Sequence, residues 1–96
     1  MHPSLSHFTH FTTPGYWPLY YRLPAHVRQT ADKNFALLKS DPRHPSLHLK
    51  KIGDLWTVRA GLHHRAIGMD FPSKEKRILW FWIGSHAEYD RLIRNG

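Results

Sequence analysis

The chain has 96 residues, with 14 Lys plus Arg against seven Asp plus Glu, a formal charge of +7 and a pI near 10.2. This length suits a single domain over residues 1–96, and the absence of cysteine excludes disulfides and thiolate metal sites, so a reducing cytoplasm is the expected compartment. The longest wholly apolar run is six residues, too short for a membrane span; the N-terminus lacks the blocks of a signal peptide, and the dispersed cations predict a folded basic surface that attracts polyanions.

Residues 1–12 carry no clear period and read as loose chain or a short edge strand with Leu5, Phe8 and Phe11 along it. Thr13-Pro14 then has the form of an N-cap with proline at the first helical position, and Trp17, Tyr20 and Tyr21 carry a short helix on to Arg22. A longer helix opens at Pro24, because Val27, Ala31, Phe35 and Leu38 recur at helical spacing; Asp41-Pro42 ends it, since a residue before proline avoids helical geometry. After Pro45 the period changes to two. Leu47 and Leu49 alternate with His48 and Lys50 up to a turn at Gly53-Asp54, and Trp56, Val58 and Ala60 alternate with Thr57 and Arg59 up to a turn at Gly61-Leu62. Strands follow over His63–Phe71 and Lys76–Ile83, with a polar loop at 72–75. The order predicts an α+β fold: two N-terminal helices on one face of a small, mainly antiparallel sheet, and a short C-terminal helix.

The junction after the last strand is the most informative stretch. Residues 78–83 are all apolar, including Trp80, Phe81 and Trp82, as in a strand buried on both faces, and Gly84 breaks the run. Ser85 and Glu88 have capping-box spacing, which puts His86 in the first helical turn with Tyr89 and Asp90 on its face. The positive end of a helix disfavours imidazolium, so a histidine there is disposed to accept a proton. Capping boxes are also ordinary folding devices, and the plain alternative is a solvated histidine.

Four segments in this order, the helices ending in Asp41-Pro42-Arg43, Leu55–Gly61, His64-Arg65-Ala66-Ile67 and Ile83-Gly84-Ser85-His86, together resemble the RelE/ParE superfamily of bacterial toxins over about residues 14–93. The resemblance implies a compact sheet with two helices on one side, and an acidic antitoxin that wraps the toxin. RelE-like members cleave messenger RNA in the ribosomal A site without metal, whereas ParE-like members poison DNA gyrase. Carried over residue by residue, Arg65 matches the arginine set against the scissile phosphate, His86 a catalytic histidine or arginine, Tyr89 an aromatic that orients the base, and Arg59 a second strand arginine. The lysines that one branch carries on the preceding strand have no match, as Leu55 and Thr57 stand there; Lys50, Lys51 or His48 are the substitutes.

Cleavage of RNA by its own 2′-hydroxyl needs a base, an acid and cationic stabilisation of the phosphorus centre. His86 suits the proton transfers, Arg65 with Arg59 the phosphate clamp, and Tyr89 the base platform. Lys50, Lys51, His48, His63 and His64 are the expected RNA contacts. Alternatively, Arg59 and Arg65 pair with Asp54 or Asp70, and Trp56, Trp80 and Trp82 fill the core. A tight turn at Gly61-Leu62 would set Arg59 opposite His64 and Arg65 opposite Val58, on different faces; a bulge at Gly61 would reconcile them. No histidine–carboxylate set has a metal-ligand spacing, including His7 with His10, and no cofactor is expected. The leading expectation is an endoribonuclease toxin acting on ribosome-bound messenger RNA. The others are a non-catalytic gyrase inhibitor and a non-toxic basic nucleic-acid-binding module.

Overall fold

The computed structural model describes residues 8–71 and 75–95. In chain order they form β1 (Thr9–Thr12), α1 (Tyr16–Tyr21), α2 (Ala25–Ser40), a 3-10 turn (Pro45–Leu47), β2 (Lys50–Ile52), β3 (Leu55–Gly61), β4 (His64–Phe71), β5 (Arg77–Ser85) and α3 (His86–Asn95). The strands make one sheet in the order β1-β5-β4-β3-β2, antiparallel except where β1 runs parallel to β5. This is the expected α+β layout. No helix among the described residues is long and apolar enough to cross a membrane.

Alternation along the strands divides the sheet into two faces. Val58, Ala66 and Ile83 are successive cross-strand partners and so share a face, the one on which Ala31 and Leu38 of α2 and Tyr16 of α1 pack. Their burial, with that of Ile78 and Trp80, forms the main core, where Leu38, Leu47 and Ile78 are 1% exposed or less. Trp80 meets a polar partner at the edge of this core: its Nε1–H donates to His10 Nδ1 over 3.1 Å, and the two rings stack. Burial, and then the charge of Lys39, lowers the pKa of His10 to about 4, so the ring is neutral and able to accept at pH 7. The tryptophan is accommodated by its neighbour in β4. A Cβ on Gly68 would lie 2.8 Å from Trp80 Cε3.

Several boundaries differ from the expected ones. The edge strand is present as β1, while Leu5 lies outside the described residues. The first helix starts at Tyr16 rather than Pro14, with Gly15 as its N-cap, because residues 13–15 form a turn closed by the Tyr16 N–H to the Thr13 carbonyl. Pro18 then sits in the first turn, where no intrahelical partner for an N–H is needed. Leu47 is not in a strand. His44 caps the 3-10 turn by accepting from the Ser46 N–H, Pro45 fits its first position, and Leu47 is driven into the core, so β2 begins only at Lys50.

Gly84 does not end the last strand. It pairs with Arg65, and Ser85 with His64, so β5 runs to Ser85 before α3 begins. What glycine provides there is space: a Cβ would meet the Trp82 indole at 2.5 Å.

Candidate active site

The face of the sheet opposite α1 and α2 carries the alternate residues of the same strands, polar on β2 and β3 and apolar at Ile67 and Trp82. Lys50 is the cross-strand partner of Thr57, Thr57 of Ile67, and Ile67 of Trp82. Arg59 is the partner of Arg65, because Ala60 is an extra residue between the pairs Arg59–Arg65 and Gly61–His64. This bulge replaces the simple register in which the two arginines part, and it sets them side by side on one face.

The Ser85–Glu88 capping box is formed in full. The Glu88 N–H donates to Ser85 Oγ over 3.2 Å, and the Ser85 N–H and hydroxyl donate to Glu88 Oε1 over 3.4 and 3.0 Å. It fixes the direction in which α3 leaves the sheet, and the His86 N–H is held by the His63 carbonyl at 2.8 Å. α3 turns back over β4 and β5 and buries Tyr89 to 7% exposure.

Between α3 and the start of β2 lies a cleft of about 100 Å³ lined by His48, Lys50, Thr57, Val58, Arg65, His86 and Tyr89. Thr57 is almost fully buried at its floor. His48 enters from the C-terminal end of the 3-10 turn in the left-handed conformation, with φ 47°, the one positive φ of a non-glycine among the described residues. Arg65 Nη1 donates to the carbonyls of Gly61 at 3.1 Å and His64 at 2.8 Å, which orients the guanidinium from behind and leaves its other N–H groups for a ligand. Burial, and next the charge of Arg59, lowers the Arg65 pKa, while Tyr89 and Asp90 act to raise it. The group remains a cation at neutral pH. The buried Nε of Arg59 has no hydrogen-bond partner among the described residues. His86 is half-exposed, with Nδ1 3.1 Å from Asp90 Oδ2 and its ring centroid 5.7 Å from that of Tyr89.

Five of the expected site residues thus line one cleft: His86, Arg65, Tyr89, Lys50 and His48. Arg59 sits beside Arg65 without lining it. Lys51 faces the other way, paired with Trp56 across the strands and bonded to Asp70 Oδ2 at 2.6 Å. Asp70 accepts from Trp56 Nε1 as well, and the Lys51 and Trp56 bonds lower its pKa; the Asp70–Arg pairing considered from the sequence does not occur.

His63 and His64 stand at the β3–β4 turn outside the cleft, where burial, followed by the charges of His63 and His26, lowers the pKa of His64. His7 lies outside the described residues, and among those described no group of three or more His, Asp or Glu side chains could hold a metal ion. Thr57 was legible only as an outward strand residue, and its place in the cleft floor follows from register. Asp90 was marked by its i,i+4 spacing from His86 but had no role until the contact was seen.

No protein-family model matches the sequence, and no curated protein matches it. Solved structures do match in shape. The YoeB/ParE toxin from Agrobacterium tumefaciens, 18% identical, superposes with a TM-score of 0.59 over 80% of this chain and 97% of that one. The archaeal RelE-RelB complex from Pyrococcus horikoshii gives 0.61 at 16% identity, covering 83% of this chain and 96% of that one.

The fold is that of the RelE/ParE toxins. The isolated Escherichia coli RelE toxin, 12% identical, covers 90% of this chain and 95% of its own with a TM-score of 0.57. At such identities the RelE-like shape is shared while most side chains are not, so the chemistry has to be argued from the cleft itself.

Proposed function

We propose that this chain is the toxin of a toxin–antitoxin pair, a cytoplasmic, metal-independent endoribonuclease that cleaves messenger RNA on the ribosome and is neutralised by an acidic antitoxin. The observation that carries the reading is the meeting of Arg65 and His86, with Lys50, His48 and Tyr89, in one cationic cleft. Their positions also agree with the family resemblance, and the RelE-RelB complex among the similar structures supports an antitoxin partner.

In the reaction the 2′-hydroxyl loses its proton to a base and O2′ attacks the adjacent phosphorus. The P–O5′ bond breaks to leave a 2′,3′-cyclic phosphate, and the departing O5′ takes a proton from an acid. His86 Nε2 suits one of these proton transfers, as Nδ1 is engaged by Asp90. His48 or Lys50, on the other wall of the cleft, suits the second. Arg65, oriented by two backbone carbonyls, meets the charge that grows on the phosphoryl oxygens, and Arg59 adds to the field behind it. Tyr89 offers its ring edge or hydroxyl to the nucleotide, although its burial limits it to one side of the cleft.

The test is induced expression followed by primer extension on a reporter transcript, and cleavage by the purified protein on programmed ribosomes. Arg65→Ala and His86→Ala should each lower the single-turnover rate by about 100-fold or more while thermal unfolding stays near that of the parent. Intact transcripts with broken chromosomes would instead identify a gyrase poison, the main alternative within this fold.

A further inference from the structure

We infer that Asp90 is a positioning residue for the cleft: its carboxylate fixes the tautomer and direction of the His86 imidazole. The inference rests on the proposed nuclease reading for its kinetic consequence, but its structural content stands apart from it.

One contact carries it. His86 Nδ1 and Asp90 Oδ2 are 3.1 Å apart, one helical turn apart on α3, with the first-turn geometry of that helix set by the Ser85–Glu88 box. A carboxylate accepts only, so this proximity favours the proton on Nδ1 and leaves the lone pair of the neutral ring on Nε2. The other neutral tautomer, with the proton on Nε2, would set two acceptors against each other at Nδ1.

The charge of Asp90, with that of Tyr89, also favours the charged Arg65 guanidinium against the effects of burial and Arg59. The groups facing His86 on its own helix are Tyr89 and Asp90; across the cleft are Arg65, Lys50 and His48. Asp90 is the single carboxylate among them, and without it the imidazole loses the acceptor that gives it one orientation.

A surface ion pair at this spacing would support the helix slightly and do nothing else. The two roles separate in experiment. In ¹⁵N-labelled protein at a pH where the ring is neutral, the His86 nitrogens should report an Nδ1–H tautomer in the parent and predominantly Nε2–H in Asp90→Ala. Asp90→Asn, whose amide oxygen can still accept from Nδ1–H, should keep much of the parent signature.

On programmed ribosomes, Asp90→Ala should lower kcat by about tenfold with KM nearly unchanged, and Asp90→Asn should recover part of the loss. The same ring spectrum in Asp90→Ala as in the parent overturns the inference whatever the activity. Parent protein that fails to cut RNA removes the nuclease reading, while the tautomer measurement still decides the role of Asp90. A tautomer change in Asp90→Ala with unaltered kcat in an active parent also overturns the assigned role.

Discussion

The two faces of the one sheet are built from alternate residues of the same strands, yet they are used in opposite ways. On the helix side Val58, Ala66, Ile83 and Trp80 are buried with α1 and α2, and the polar exception, His10, is bonded to Trp80 and held neutral. On the other side Arg59 and Arg65 stand next to each other and Lys50 next to Thr57, under a helix that brings a half-exposed histidine beside the buried Tyr89. Burying a guanidinium and setting a second one beside it are both unfavourable for folding alone, and in that order they lower the Arg65 pKa. One face stabilises the fold by burial, and on the other that stability holds like charges side by side.

The comparison can be broken by substitutions that ought to affect one face only. Leu38→Ala, at a site 1% exposed on the helix side, should cost about 2–5 kcal/mol in urea unfolding while RNA binding by the folded fraction is unchanged. A matching loss of binding would mean the faces are not independent.

Gly84→Ala probes the cleft side, since the new methyl meets the Trp82 indole and Gly84 is the strand partner of Arg65. It should cost about 1–3 kcal/mol and, unlike Leu38→Ala, lower the cleavage rate of the folded protein as well.

Acid should weaken the helix side first. His10 has a folded pKa of about 4 against an ordinary 6.5, so the unfolded chain binds the extra proton more readily, and stability rises with pH across that window. The His10 contribution is complete above pH 6.5, is lost progressively below it, and is gone near pH 4. After allowance for partial solvent contact, the loss attributable to this group is about 1–2 kcal/mol. Chemical unfolding of the parent and His10→Phe at pH 7 and pH 4.5 measures it, and equal pH dependence in the two proteins would refute the assignment.

The smallest and sharpest contrast is between adjacent lysines. Lys50 lines the cleft and Lys51 is bonded to Asp70 on the other face, so Lys50→Ala should reduce the salt slope of single-stranded RNA binding by about 0.7 and Lys51→Ala should leave it unaltered. Equal slopes for the two variants would place the RNA elsewhere.

Much of this was legible because local rules determine it. The spacing of Val27, Ala31, Phe35 and Leu38 gave α2, the alternation of Leu55–Ala60 gave β3, and Ser85 with Glu88 gave the start of α3, each from interactions within a few residues. The misses were boundaries where local signals compete. Thr13-Pro14 was a good helix start but lost to a turn that admits Tyr16 to the core, and Leu47 fits strand alternation but is buried in a 3-10 turn. Gly84 looked like a stop because glycine has little strand propensity, yet two strand pairings and the Trp82 ring require it.

By itself the sequence determined the α+β class, the cationic surface and the residue types able to move a proton or hold a phosphate, because composition and periodicity are properties of short stretches. Only the tertiary structure decided which of them meet. The extra residue Ala60 turns Arg59 and Arg65 onto one face, the register of β2 divides Lys50 from Lys51, and the exit angle of α3 brings His86 over Arg65. These are pairings between distant parts of the chain, and a shift of one residue in any strand would have sent each side chain to the opposite face.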